Sequence, residues 1–309
     1  MRTIFMGTPE FAVPTLEALA EHTSLQLVIT QPDRRQGRGK KLMFSPVKNR
    51  ALELGINVIG PEVVKGKRFA DKIGTYRPDL IVTAAFGRIL GQSLLETPRY
   101  GCLNVHASLL PLYRGAAPIN WAIINGEQET GVSIMRTVRD LDAGDVYTVK
   151  RIPILKQTAG ELTTELAQLG AHALLETLQN IDSIIPVPQN HAKATFAPIM
   201  SKHDGRMNWR QSADVLERQV RGMHPWPGTY ALWNGEPVKI HSVCPVDALI
   251  PDGTVPGTVV AQTLAGVDVA CGGRDTLCRI RSLQMPGKKR LDASQFYAGL
   301  KFPTGSRFE

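Results

Sequence analysis

Aromatic side chains are sparse in this sequence, 6% of its 309 residues, and there are only four cysteines, Cys102, Cys244, Cys271 and Cys278. No CxxC pair and no companion histidine at zinc spacing accompanies them, which argues against a disulfide scaffold and a structural metal and for reduced, mostly buried thiols. Long apolar runs are missing too. The longest, such as Leu80 to Phe86, fall far below the ~18 residues that a spanning helix needs, and Met1 to Glu10 lacks the hydrophobic region of a signal peptide. The expected location is the cytoplasm, with no membrane partner. What remains is the composition of an ordinary soluble protein, 43% hydrophobic and 21% charged, long enough for two domains of roughly 100 to 200 residues each.

The 36 basic and 28 acidic side chains leave a formal charge of +8. Residues 1–188 hold 21 of the basic and 18 of the acidic groups, whereas the shorter stretch 189–309 holds 15 and 10. The basic excess is therefore denser towards the C-terminus. It is compatible with a polyanionic partner and too modest to establish one.

Arg2 to Met6 reads as a strand stopping at Gly7, and Phe11 to Ala20 places Phe11, Leu16 and Leu19 near one helical face. Apolar runs at Leu25 to Ile29, Leu80 to Ala85 and Leu103 to Val105 resemble strands buried on both faces. Helical patterns at Val47 to Leu54 and Pro118 to Asn125 lie between some of them. This alternation predicts an α/β domain with a mostly parallel sheet. A long amphipathic helix, from Gly160 to about Asn180 through Leu162, Leu166, Leu169 and Ala173, closes the expected first domain, 1–188. Pro186, Pro188 and Pro198 mark the next stretch as extended, with a linker expected over 189–205. Residues 206–309 then read as one short helix, Ala213 to Arg221 with Ser212 as its cap, and five strand-like runs separated by Gly, Asn, Asp and Pro. A small antiparallel barrel accounts for them most economically.

Asn104-Val105-His106 ends an apolar run and leads into Ser108-Leu109-Leu110-Pro111, so these residues should sit at a strand's carboxyl end, where open α/β sheets place their ligands. An amide and an imidazole two residues apart on a strand point to the same side. An isolated histidine in such a place more often satisfies a local hydrogen bond. Downstream, Leu141-Asp142-Ala143-Gly144-Asp145 sets two acids around a glycine in a turn. Acids in turns are usually caps, yet a carboxylate beside an imidazole would raise its pKa and fix its orientation. An amide, an imidazole and a carboxylate together suit acyl transfer.

Asn104 to Pro111, Tyr113-Arg114-Gly115-Ala116-Ala117-Pro118-Ile119, Gly131-Val132-Ser133-Ile134-Met135 and Leu141 to Asp145 resemble the signature of the 10-formyltetrahydrofolate-dependent formyltransferases. Gly7-Thr8-Pro9-Glu10-Phe11, Gln31-Pro32-Asp33, Arg38-Gly39-Lys40-Lys41 and Pro225-Trp226-Pro227-Gly228 narrow the resemblance to members that formylate a charged initiator tRNA. It covers essentially the whole chain. It implies a Rossmann-like formyltransferase domain followed by an OB-like barrel that binds tRNA, acting as a monomer, with 10-formyltetrahydrofolate as formyl donor and no metal. It also implies a catalytic trio. Asn104 would hold the formyl oxygen, His106 would stabilise the oxyanion of the tetrahedral intermediate, and Asp142 would orient His106 and assist proton transfer, with no covalent enzyme intermediate. Ser108, Leu109, Leu110 and Pro111, with the turn Phe86, Gly87, Arg88, Ile89 and Leu90, would line the folate site. The commoner family form has Tyr and Gln where Phe86 and Arg88 stand and Pro at Gly91, so folate contacts through the backbone survive better than contacts through those side chains.

Arg34 to Lys41 gathers five cations in eight residues directly after a strand. Such runs are usually solvated loops. By the resemblance this one engages the tRNA acceptor end through Arg38, Lys40 and Lys41. Three other readings compete. A nicotinamide-dependent dehydrogenase would share the strand, glycine turn and helix opening, but Gly7-Thr8-Pro9-Glu10 is not a GxGxxG loop, and Glu10 would repel a pyrophosphate. A non-catalytic RNA-binding module leaves Asn104, His106 and Asp142 unexplained. A sibling formyltransferase acting on an amino-sugar nucleotide shares the trio and is the alternative that the basic loop and basic C-terminal region oppose.

Overall fold

The computed structural model describes residues 1–36, 41–273 and 275–309. They form two units. The first comprises Met1–Pro118, Glu129–Pro153 and Thr163–Pro198; the second comprises Ile119–Gln128, Ile154–Leu162 and Ile199–Glu309. In chain order up to residue 198 the elements are β1 (Arg2–Gly7), α1 (Val13–His22), β2 (Ser24–Ile29), the short antiparallel pair β3 (Arg34–Gln36) and β4 (Lys41–Met43), α2 (Pro46–Glu53), β5 (Val58–Ile59), α3 (Lys67–Gly74), β6 (Leu80–Ala84), α4 (Gln92–Leu95) and β7 (Cys102–His106). There follow β8 (Arg114–Gly115), α5 (Pro118–Asn125), β9 (Glu129–Arg136), β10 (Val146–Pro153), α6 (Ala159–Gln179) and β11 (Phe196–Ala197).

The first unit is built on a seven-stranded sheet in the order β10-β9-β7-β6-β1-β2-β5. The five strands from β7 to β5 are parallel, and β9 and β10 add an antiparallel edge. Residues with no polar side chain to place in water force the central strands inside: Ile4, Phe5, Met6, Leu80, Ile81 and Val82 are fully buried. Helices cover them. Phe11, Leu16 and Leu19, the face expected from the periodicity, are all buried, and α2 starts where the Ser45 hydroxyl accepts from Lys48 N ahead of Pro46. Helix α3 is not apparent from the sequence. It nevertheless packs Phe69, Ala70 and Ile73 into the same core as Ile4, Met6, Leu27 and Ile29. All four cysteines are free thiols; burial pushes Cys102 up to about 12 and raises Cys278 well above its ordinary value.

Residues 189–198, expected to begin a linker, are built into this first unit. Gln189 is buried, and β11 pairs in parallel with β8. The pairing depends on Gly115, whose φ is +120°; a Cβ there would sit 2.7 Å from Ala197 O.

The second unit contains α7 (Ala213–Gly222), β12 (Thr229–Trp233), β13 (Glu236–Asp247), β14 (Val259–Thr263), β15 (Gly266–Ala270), β16 (Thr276–Gln284), β17 (Leu291–Asp292) and α8 (Ala293–Gly299). Ser212 stands at the N-cap of α7 with no side-chain hydrogen bond to the helix, so the expected cap is one of position alone. Asn234 and Gly235, both at positive φ, turn β12 back into β13. The antiparallel sheet runs β12-β13-β16-β15-β14, with β17 on β16. Its two edges are joined by the last residues of the chain. Phe308 bridges to Trp233 on β12, and Arg307 bridges to Thr258 beside β14. The tail thus closes the sheet on itself, which removes exposed edges. Phe308 is fully buried, with its ring 4.6 Å from Trp233, 5.4 Å from Phe302 and 5.9 Å from Trp209, centroid to centroid.

Phe308 therefore serves the core and the closure together. We expect Phe308→Ala to cost about 3 to 5 kcal/mol of the second unit's stability, read as a lower denaturation midpoint by tryptophan fluorescence. A loss below about 1 kcal/mol would show that the tail is not part of the core.

Candidate active site

The turns after β6 and β7 leave neighbouring parallel strands on the same edge of the sheet. Asn104 pairs across β6 with Thr83 and across β9 with Met135; His106 pairs with Ser133. Thr83 Oγ1 donates to Asn104 Oδ1 at 2.7 Å. That bond spends the amide's acceptor and orients its Nδ2 donor, which has no hydrogen-bond partner among the described residues.

His106 is 5% exposed. Its Nε2 lies 3.0 Å from Tyr113 O. A carbonyl only accepts, so Nε2 carries the hydrogen, and in the neutral ring Nδ1 holds the lone pair. Asp142 Oδ2 is 3.7 Å from that Nδ1 and accepts from Gly115 N at 2.8 Å. Asp142 reaches this place by a detour. Strand β9 runs antiparallel to β7 and ends beside Leu103, not His106, and the loop that follows folds back with Asp142 in the left-handed region, φ +45°. Residues of the segment between β7 and β9 grip both groups: Tyr113, φ +59°, turns its carbonyl to the imidazole, while Gly115 offers its N–H to the carboxylate.

Behind β7, Ser133 Oγ donates to Ser108 O at 2.7 Å and accepts from Leu110 N at 3.1 Å. The Ser108 hydroxyl itself donates to Leu112 O at 2.6 Å and is buried. The segment 108–111 is a turn held from within, with Leu109, Leu110 and Pro111 half-buried. In the neighbouring turn, Phe86 and Leu90 pack into the core and Arg88 donates to Pro61 O and Glu62 O. Gly87, at φ +72°, and Ile89, 64% exposed, are its outward residues. Gln31, at the end of β2, donates to Phe86 O at 2.9 Å and braces this turn. Arg38 and Lys40 lie outside the described residues, and Lys41 begins β4.

The sequence reading named Asn104, His106 and Asp142, and the structure brings the last two within 3.7 Å of each other and sets the first two on one strand. It did not single out Thr83, Ser133, or Tyr113 and Gly115 in their present roles. Thr83 had a faint signal, as the one hydroxyl within an otherwise apolar strand, and Ser133 a fainter one, as a hydroxyl between Val132 and Ile134.

Comparison with known proteins adds a second line. A formyl transferase family model matches residues 1–178, and a model of the formyl transferase C-terminal domain matches residues 199–301. The methionyl-tRNA formyltransferase of Acetivibrio thermocellus is 44% identical over 309 residues, covering 99% of this chain and 98% of that protein. That of Geobacter sulfurreducens is 43% identical over 311 residues, covering 99% and 96%. Among solved structures, a sugar 3N-formyl transferase with dTDP and 5-N-formyl-THF aligns with a TM-score of 0.65 at 17% identity, over 94% of this chain and 99% of that one. HypX from Aquifex aeolicus, in complex with tetrahydrofolic acid, aligns with a TM-score of 0.62 at 20% identity, over 97% of this chain and 48% of that one. At these identities the two structures share the fold.

The Ser133 hydroxyl completes two buried main-chain groups. Ser133→Ala should leave both unpaired and lower stability by about 1 to 3 kcal/mol, measured by urea denaturation. A change within about 0.5 kcal/mol would mean that the 108–111 turn holds itself.

Proposed function

The chain belongs to the formyl transferase family, and we propose that it transfers the formyl group of 10-formyltetrahydrofolate to the α-amine of methionyl initiator tRNA, giving the formylmethionyl-tRNA used to start translation. The observation that carries the acceptor is the 44% identity to a methionyl-tRNA formyltransferase across 99% of this chain. Likeness to sugar formyltransferases is a likeness of fold.

The residues at the carboxyl edge fit such a donor. Ile89 and the half-buried Leu109, Leu110 and Pro111 offer apolar surface, Gly87 is exposed beside them, and the Asn104 amide has a free donor. The donor supplies the formyl carbon: its bond to N10 breaks as a bond to the amine nitrogen forms, the amine losing one proton and N10 gaining one. Asn104 Nδ2 donates to the formyl oxygen as negative charge builds there. One such donor contributes about 2.7 to 4 kcal/mol.

The resemblance assigns His106 to the oxyanion, and the hydrogen bonding favours a different emphasis. Its Nε2–H is committed to Tyr113 O, so Nδ1 is the atom that takes the proton from the amine, directly or through a water. Asp142 stabilises the imidazolium so formed. An α-amine with a pKa of about 7.7 to 8.0 is already partly neutral at cytoplasmic pH, so the site has to position it and remove a proton, as positioned acid–base groups do.

Arg38, Lys40 and Lys41 follow β2, whose carboxyl end lies on the same sheet edge as the turns after β6 and β7. We assign them to the acceptor end of the tRNA, and the basic excess of residues 189–309 to the phosphate backbone. A cytoplasmic setting accords with this, and no helix among the described residues is long and apolar enough to cross a membrane.

Asn104→Ala, His106→Ala and Asp142→Ala should each lose at least about a hundredfold in turnover while remaining folded. A His106→Ala enzyme with near-normal turnover would remove the imidazole from the reaction. Arg38→Ala should lower catalytic efficiency on charged initiator tRNA by about 5- to 150-fold, the 1 to 3 kcal/mol of an arginine at a phosphate or base edge, and leave tetrahydrofolate affinity unchanged. Wild-type efficiency at physiological salt would return the loop to a solvated surface.

A further inference from the structure

Gln189 lies far along the chain from the catalytic turns, yet it is 8% exposed and every polar atom of its amide is used. Its Nε2 donates to Asp142 O at 2.9 Å and to Gly144 O at 2.7 Å. Its Oε1 accepts from Arg114 Nη2 at 2.7 Å and Nε at 3.1 Å. Arg114 is itself buried and is turned further by His191 Nδ1, 3.0 Å from its Nη2. The next residue, Gly115, donates its N–H to the Asp142 carboxylate.

These bonds close a ring. It runs from the Asp142 carboxylate through Gly115 N and the Arg114 side chain to Gln189 and back to Asp142's own carbonyl. The ring fixes main chain and side chain of one residue at the same time, and it does so where the backbone stands at φ +45°, a region uncommon for non-glycine residues though more accessible to aspartate than to most. A primary amide suits the place because it presents two N–H donors to paired carbonyls and an oxygen to a guanidinium. We propose that Gln189 is a positioning residue for the transfer reaction, holding Asp142 at its distance from His106 Nδ1, and that Arg114 acts through it. This rests on the reading of Asn104, His106 and Asp142 as the formyl-transfer site.

The test is a double-mutant cycle between Gln189 and Asp142, read on steady-state formyl transfer from 10-formyltetrahydrofolate to charged initiator tRNA. Gln189→Ala should reduce kcat about ten- to a hundredfold, the scale of a small misplacement at a reacting centre, with KM for both substrates within about twofold. In an Asp142→Ala background the same change should alter the remaining rate by less than about twofold, because the group it positions is gone. Should Gln189→Ala fail to fold, Gln189→Glu gives the same readout: it keeps volume and the Arg114 contact but sets an oxygen against the two carbonyls. An unchanged kcat in the folded variant, or losses that multiply in the double variant, would overturn the inference. A wild-type enzyme that transfers no formyl group would overturn the parent reading instead.

Discussion

The hydrogen bonds that Tyr113 and Gly115 make from their main chain are the constraint on which the candidate site depends. A carbonyl from one and an N–H from the other hold the imidazole of His106 and the carboxylate of Asp142, two groups delivered by different parts of the chain. Main-chain groups cannot change rotamer, so the tautomer of the ring and the place of the carboxylate are set before any substrate arrives, which is what preorganisation requires. The segment can do this because Tyr113 and Gly115 both adopt positive φ and because Ala197 O approaches Gly115 too closely for any side chain there.

The rest of the first unit supplies the frame for that grip. The strand pairing sets Thr83 beside Asn104 and Ser133 beside His106. Each of these hydroxyls then takes a task beside the site, one orienting an amide and the other tying the 108–111 turn. Apolar burial and polar positioning are two consequences of the same strand pairing. In the second unit the C-terminal residues close the sheet and fill its aromatic core.

Much of this was legible in the sequence where side chains alone decide it. Leu80 to Ala85 and Leu103 to Val105 read as buried strands because nearly every residue in them is apolar, and Asn104 and His106 stand out at the end of one such run, whereas Asp142 lies in a turn where an acid is ordinary and is picked out by the family resemblance. Helix α3 was harder, since Lys67, Arg68, Asp71 and Lys72 outnumber the three residues it buries. Contacts between distant segments left no local trace: Arg114 and Gln189 are 75 positions apart, and Gly115 and Asp142 are 27 apart. Prolines made residues 189–198 read as a linker, although a chain without regular structure can still be fixed by a buried amide and a two-residue strand. Ser108, Phe86 and Leu90 turn their side chains to the turn and the core, so periodicity could not tell which residues of those turns face outward.

The central claim is that this site formylates an aminoacyl-tRNA amine. It is tested most directly by following the formyl group of 10-formyltetrahydrofolate, carrying a labelled carbon, into charged initiator tRNA and, in parallel, into a dTDP-linked amino sugar. Label is expected in the α-amide of the methionyl-tRNA at enzyme-dependent rates, with none above background in the sugar. Label in the sugar with the tRNA left unmodified would contradict it.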